Sequence, residues 1–150
     1  MKRRTFLALP LAATGLTSGR GVNASELPEI MAYRDPGCSC CEAWAGHMQA
    51  VGFRVSIADD PDRRQRTRGL GIPDELTSCH TAIAGRYFVE GHVLAADLIR
   101  LLEQAPAGAK GLIVAGMPVG SPGMGPEGSG DAYDVLLLTE GGQIGIFARH

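Results

Sequence analysis

Polar and apolar residues alternate from Glu29 to Arg34, with Ile30, Ala32 and Arg34 on one side and Met31 and Tyr33 on the other. This period of two predicts a first strand. Asp35-Pro36-Gly37 is a turn signal. Beyond it the period lengthens: Cys41, Trp44, Met48 and Val51 share one helical face, which predicts a helix over residues 38–51 with Gly52 as its C-cap. Phe53 to Ala58 alternates again and predicts a second strand. Asp59 to Gly69 is polar, a short helix or turn, and Gly71-Ile72-Pro73 breaks it. Thr81 to Ala84 and Arg86 to Glu90 form an expected hairpin around Gly85. Leu94, Leu98, Leu101 and Leu102 mark the inner face of a helix over residues 95–104, stopped by Pro106 and Gly108.

Residues 111–130 show no period. The run from Gly116 to Pro126 is too rich in Gly and Pro for a helix or a central strand and predicts a long loop. Long loops inside compact domains are usually functional or disordered. Tyr133 to Leu138 and Ile144 to Ala148 close the chain as a hairpin around Glu140-Gly141-Gly142. The order β-α-β, short helix, β-hairpin, helix is the thioredoxin-like one. The expected class is therefore α/β, a mixed sheet flanked by helices, with an added Gly/Pro/Met loop and a C-terminal hairpin. No repeat or linker divides residues 29–150, which read as one domain.

The N-terminus changes the picture. Lys2, Arg3 and Arg4 precede a short apolar run from Phe6 to Leu16, and Val22-Asn23-Ala24 offers a small-residue cleavage site. Residues 1–24 thus read as a cleaved export signal, too short in its apolar part for a membrane helix. Arg3-Arg4-Thr5-Phe6-Leu7 favours the twin-arginine route over the general secretory one. The expected location is the periplasm. No later run reaches the about 20 apolar residues of a membrane span.

Loss of Lys2, Arg3, Arg4 and Arg20 leaves 10 basic against 16 acidic residues, a net charge of −6. An acidic chain with few aromatic residues is a poor nucleic-acid binder. Arg63, Arg64, Arg66 and Arg68 form a basic run, read here as a solvated helix face.

The chemistry concentrates in Asp35-Pro36-Gly37-Cys38-Ser39-Cys40-Cys41-Glu42. The motif follows a predicted strand and opens a helix, where unpaired N–H groups and the helix dipole favour thiolate. Cys38 and Cys41 have the C-x-x-C redox spacing. Cys40 does not fit a simple dithiol pair. Its Cα lies ~3.8 Å from that of Cys41, below the about 4.4–6.8 Å of ordinary disulfides. A multi-thiolate metal site does use an extra thiol. Cys79 and His80, before the third strand, face the C-x-x-C turn if the fold is thioredoxin-like. A lone cysteine such as Cys79 is otherwise a small core residue. His92 follows a turn and is a candidate for lining the site, while His47 lies on the cluster's helix but off its apolar face. Met117 and Met124 sit in the loop, where no periodic core explains them; thioethers join thiolates in selecting Cu(I).

Structural zinc usually takes separated ligand pairs. Three thiols crowded on one turn suit a multinuclear Cu(I) site better. The spacing matches no familiar iron–sulfur run.

The DPGCSCCE motif with Trp44, Gly71-Ile72-Pro73, Ser78-Cys79-His80-Thr81-Ala82, Val89-Glu90-Gly91-His92-Val93 and Gly116-Met117-Pro118 through Met124 together resemble the CopG-like family. These are periplasmic metal-binding proteins, long labelled domain of unknown function 411 and associated with copper resistance. The resemblance spans residues 29–150. It implies a thioredoxin-like fold, a copper site at Cys38, Cys40 and Cys41 extended by Cys79 and His80, with Met117, Met124 and His92 as further candidates, and a redox role on copper. It also implies other copper-handling proteins as partners.

Two other functions compete. One is thiol–disulfide exchange with Cys38 as nucleophile and Cys41 as resolver. The other is a structural domain whose cysteines form ordinary disulfides, for example Cys38–Cys41 and Cys40–Cys79. No phosphate loop, Ser-His-Asp set or carboxylate pair stands out, and nothing in the sequence assigns turnover.

Overall fold

The computed structural model describes residues 27–150; the expected export signal lies outside them. The chain forms β1 (Ile30–Arg34), α1 (Cys40–Ala50), β2 (Val55–Asp59), α2 (Arg63–Leu70), a 3-10 turn (Asp74–Leu76), β3 (His80–Ala84), β4 (Tyr87–Glu90), α3 (Ala95–Gln104), β5 (Ala109–Ile113), β6 (Asp134–Thr139) and β7 (Ile144–Arg149). All seven strands join one mixed sheet in the order β2-β1-β3-β4-β5-β6-β7. β1 runs parallel to β2, and β4 to β5; the other pairs are antiparallel. The expected mixed α/β class is what forms, and the element order is compatible with a thioredoxin-like core.

Strand periodicity divides the core. Tyr87 and Val89 face one side of β4, where Trp44, Met48, Leu98 and Leu101 from α1 and α3 pack. Phe88 faces the other side, against Ile72, Ile113, Leu138 and the flanking Leu70 and Leu76. Both faces of the sheet centre are therefore covered.

Three local expectations change. Residues 111–113, expected to begin the loop, instead complete β5 (Ala109–Ile113). The strand is masked in sequence by Lys110 and Gly111, yet pairs with both β4 and β6. Val51 lies past the last turn of α1 and is exposed, so the helical face ends at Met48. Arg63 is not on a solvated face: its side chain is 1% exposed.

The Gly/Pro/Met loop is irregular but closed on itself. Gly120 N–H donates to Met124 O at 2.8 Å, and Met124 N–H to Ser121 O at 2.8 Å. Gly123, at φ +84°, lies against the first turns of α1: a Cβ there would stand 2.7 Å from Trp44 N and 2.9 Å from Cys40 O.

Candidate metal centre

β1 and β3 pair with Arg34 opposite His80, so the residues just after β1 and just before β3 leave the sheet at the same end. Asp35 N–H donates to Cys79 O at 3.2 Å, and Cys38 N–H to Asp35 O at 3.1 Å. These bonds bring the α1 turn and the Cys79 segment together. Cys38, Cys40, Cys41 and Cys79 place their sulfurs within 4.8 Å of one another. Cys40 Sγ is 3.1 Å from Cys38 Sγ and 3.4 Å from Cys79 Sγ; Cys41 Sγ is 3.7 Å from Cys79 Sγ. Cys41 is buried and the other three are half-buried, so the cluster opens toward solvent.

Cys38 and Cys41 are joined as a disulfide, with a Cα–Cα distance of 5.8 Å, inside the ordinary range. Cys40 and Cys79 are free. A purely structural role for the cysteines expects no free thiol, and two are free.

Two histidines close the inner side. His92 Nδ1 lies 2.7 Å from Pro122 O. A carbonyl only accepts, so Nδ1 carries the proton and Nε2 is left bare. That bare nitrogen stands 3.2 Å from Cys79 Sγ. A backbone carbonyl that fixes the tautomer behind a ligand nitrogen is the usual support of a metal-binding imidazole. His80 is fully buried between Trp44 and His92, with ring centroids 4.4 Å and 5.1 Å away. Its Nδ1 is 3.5 Å from Cys79 Sγ, while its Nε2 has no hydrogen-bond partner among the described residues.

Electrostatics keep these groups neutral. Burial, then the neighbouring His92 and Arg63, hold the His80 imidazolium down to a pKa of about 3. Burial lowers His92 as well. Burial and the adjacent Cys40 push the Cys79 thiol up to about 12. Neutral imidazole is the ligand form; the Cys79 proton is one that a metal must displace. The free thiols of Cys40 and Cys79, joined by Cys38 and Cys41 once their disulfide is reduced, with the His92 lone pair facing Cys79 and a second, buried imidazole, fit a thiophilic metal ion.

The structure brings together Cys38, Cys40, Cys41, Cys79, His80 and His92. Met117 is 52% exposed, next to Gly116, whose N–H donates to Thr77 O and whose O accepts from Ser78 Oγ. Met124 is half-buried and follows Gly123 on α1. Both methionines thus ride on loop positions tied to the segments that carry the cysteines. His47 serves the fold rather than the cluster. Its Nε2 accepts from Ala95 N–H at 3.0 Å, capping α3, and its Nδ1 pairs with Glu127 at 2.7 Å. Arg63 and Glu90, buried side by side beneath the Cys79 segment, were not among the residues expected at the site. Glu90 is fully buried, and a buried carboxylate requires a partner, which Arg63 supplies.

A search of curated protein sequences finds no match. The family described as a protein of unknown function, DUF411, matches residues 76–124, which include Cys79, His80, His92, Met117 and Met124. Among solved structures, one described as copper resistance protein CopG, Form 1, is 42% identical with a TM-score of 0.76. The match covers 82% of this chain and 98% of that one. Form 2 of the same protein is 41% identical with the same coverage and TM-score. At this identity over nearly the whole of those structures, the chain belongs to the CopG-like DUF411 family.

Proposed function

We propose that this chain is an exported, periplasmic copper-binding protein that holds Cu(I) in a multinuclear thiolate site and serves copper handling and resistance. The observation that carries the reading is the convergence of four cysteine sulfurs within 4.8 Å of one another beside the bare Nε2 of His92. The name of the similar CopG structures supports copper as the cargo. Cys38, Cys40, Cys41 and Cys79 supply thiolates, His80 and His92 imidazole nitrogens, and Met117 and Met124 thioethers from the loop. Adjacent Cys40 and Cys41 serve as ligands to different ions in a cluster. Residues 1–24 act as the export signal, by the twin-arginine route, and residues 29–150 form the metal-binding domain. Copper ions and other periplasmic copper-handling proteins are the partners. No helix among the described residues is long and apolar enough to cross a membrane.

Reduction of the Cys38–Cys41 disulfide frees two more thiols, which raises the thiol donors from two to four. Copper uptake therefore depends on the redox state of this pair. The same disulfide favours a second reading, thiol–disulfide exchange by Cys38 and Cys41, in which Cys40 is dispensable.

The test is anaerobic loading of reduced residues 25–150 with Cu(I), desalting, and metal analysis beside a thiol titration. The proposal expects more than one copper per chain and a marked loss in Cys40→Ser. A folded, fully reduced protein that retains no copper sinks it. Full disulfide exchange by Cys40→Ser, with unchanged copper content, supports the second reading.

A further inference from the structure

Beside the Cys79 segment lies a buried charged group, Arg63 paired with Asp35 and Glu90. Arg63 reaches from the first turn of α2 with its side chain 1% exposed. Its Nε donates to Asp35 Oδ1 at 3.1 Å and its Nη2 to Asp35 Oδ2 at 3.0 Å, a two-pronged pair. The same Nη2 donates to Ser78 O at 2.5 Å. Nη1 donates to Glu90 Oε1 at 3.2 Å and to Thr81 Oγ1 at 3.4 Å. Glu90 is fully buried on β4; it accepts from Ser78 N–H at 2.6 Å and from Thr81 Oγ1 at 2.5 Å.

The partners are not scattered. Asp35 begins the turn that carries Cys38, Cys40 and Cys41, and its backbone bonds to both Cys38 and Cys79. Ser78 and Thr81 bracket Cys79 and His80. One guanidinium thus grips the two segments whose separation sets the Cys40–Cys79 distance. Its hydrogen bonds all go to Asp35, Ser78 O, Thr81 and Glu90 and none to a sulfur, so it holds the segments rather than ligating the thiols. A stability role alone does not require that its contacts fall on these two segments.

We infer that Arg63, held by Glu90, is a positioning residue for the sulfur cluster: it fixes the register of the Cys79 segment against the Cys38–Cys41 turn and thereby the geometry offered to a metal. The inference rests on the metal-binding reading for its purpose, but the clamp itself is measurable without metal. Lysine cannot replace it, because a single ammonium lacks the planar fork that spans Asp35, Ser78 O and Glu90 at once.

The test uses Arg63→Lys in two arms. The first is metal-free: in a Cys38→Ser/Cys41→Ser background, dibromobimane bridges Cys40 and Cys79 and becomes fluorescent only when both thiols react. The second measures Cu(I) affinity of the four-cysteine protein by competition with a chromophoric chelator. Arg100→Lys is the control, since Arg100 bonds Asp97 and Phe147 O, neither of which lies on a cysteine-bearing segment. The expected result is severalfold slower bridging in Arg63→Lys and a Cu(I) affinity lower by about tenfold or more, with neither changed in Arg100→Lys. If Arg63→Lys does not fold, Glu90→Gln is read in its place, since it keeps an acceptor for Ser78 N–H and removes the charge that anchors Arg63. Unchanged bridging in a folded variant overturns the clamp, whatever copper does. Slower bridging supports it even where the parent protein takes no Cu(I), in which case it is the copper reading that fails.

Discussion

Gly123 gives the most direct test of how the Gly/Pro/Met loop is held. An alanine there meets two penalties. The first is backbone: φ is +84°, a left-handed conformation that costs an L-residue with a Cβ ~1–2 kcal/mol. The second is steric: the new Cβ stands 2.7 Å from Trp44 N, 2.9 Å from Cys40 O and 3.2 Å from Ala43 C. All three are backbone atoms of α1, so no side chain can swing aside. Overpacking of this kind costs ~1–3 kcal/mol. Gly125 separates the two penalties, because it sits at φ +89° with nothing within 4 Å of its Cβ position. Gly123→Ala should therefore lose ~2–5 kcal/mol and Gly125→Ala ~1–2 kcal/mol. For a domain of this size each kcal/mol lowers Tm by about 4 °C. Parallel thermal unfolding of the reduced, metal-free variants reads the difference. The loop can also escape by lifting off α1, which caps the loss at its docking energy and leaves residues 116–130 open to protease. Either way the His92 Nδ1 bond to Pro122 O, one residue away, is disturbed, and the His92 imidazole resonances shift. Equal Tm losses in the two variants, with His92 unmoved and no new cleavage, would refute the docked loop.

Three further outcomes follow from the buried groups. The folded pKa of His80, about 3, lies below its unfolded value of 6.5; its contribution to stability is full above pH 6.5 and is lost as pH falls toward 3. Urea unfolding of the metal-free protein should show that acid loss, and His80→Phe should flatten it. Trp44 Nε1 donates to Val93 O at 3.0 Å inside the core, so Trp44→Phe should cost ~1–3 kcal/mol by stranding a buried carbonyl, measured as a shift in urea midpoint. With its thiol pushed up to about 12, Cys79 is almost wholly protonated at pH 8. Mass spectrometry should find it alkylated by iodoacetamide far more slowly than an ordinary exposed cysteine.

The parts of the fold legible in sequence were those whose apolar period is uninterrupted. β1, α1, the β3–β4 hairpin, α3 and the terminal hairpin all form within a few residues of their expected bounds. β5 escaped because its period is broken where another side chain needs room. A Cβ at residue 111 would run into the Phe88 ring and its carbonyl, so glycine is the residue that lets β4 and β5 pair here. In sequence that same glycine reads as the first breaker of the loop. Val51 errs in the other direction: it continues the helical spacing, but α1 closes at Ala50 and Gly52 takes φ +107°.

The site divides along a similar line, between local spacing and distant pairing. Cys38, Cys40 and Cys41 announce themselves by position at the head of one helix. Cys79, His80 and His92 required a fold to bring them in, and the β1–β3 register does so by placing His80 beside Arg34. Arg63 had no such route. Four arginines lie within six residues, and nothing in their spacing tells which one turns inward. The choice is made by Asp35, Ser78 and Glu90, which lie 28, 15 and 27 residues away in the chain and meet only once the sheet has formed. A buried charge is specified by its partners rather than by its neighbours in sequence. Thiol chemistry at the site likewise depends on which segment carries the sulfur. The dipole argument concerns thiols on the first turn of α1, whereas Cys79 comes from a loop and feels burial and the adjacent Cys40 instead, so its proton stays on until a metal or a disulfide displaces it.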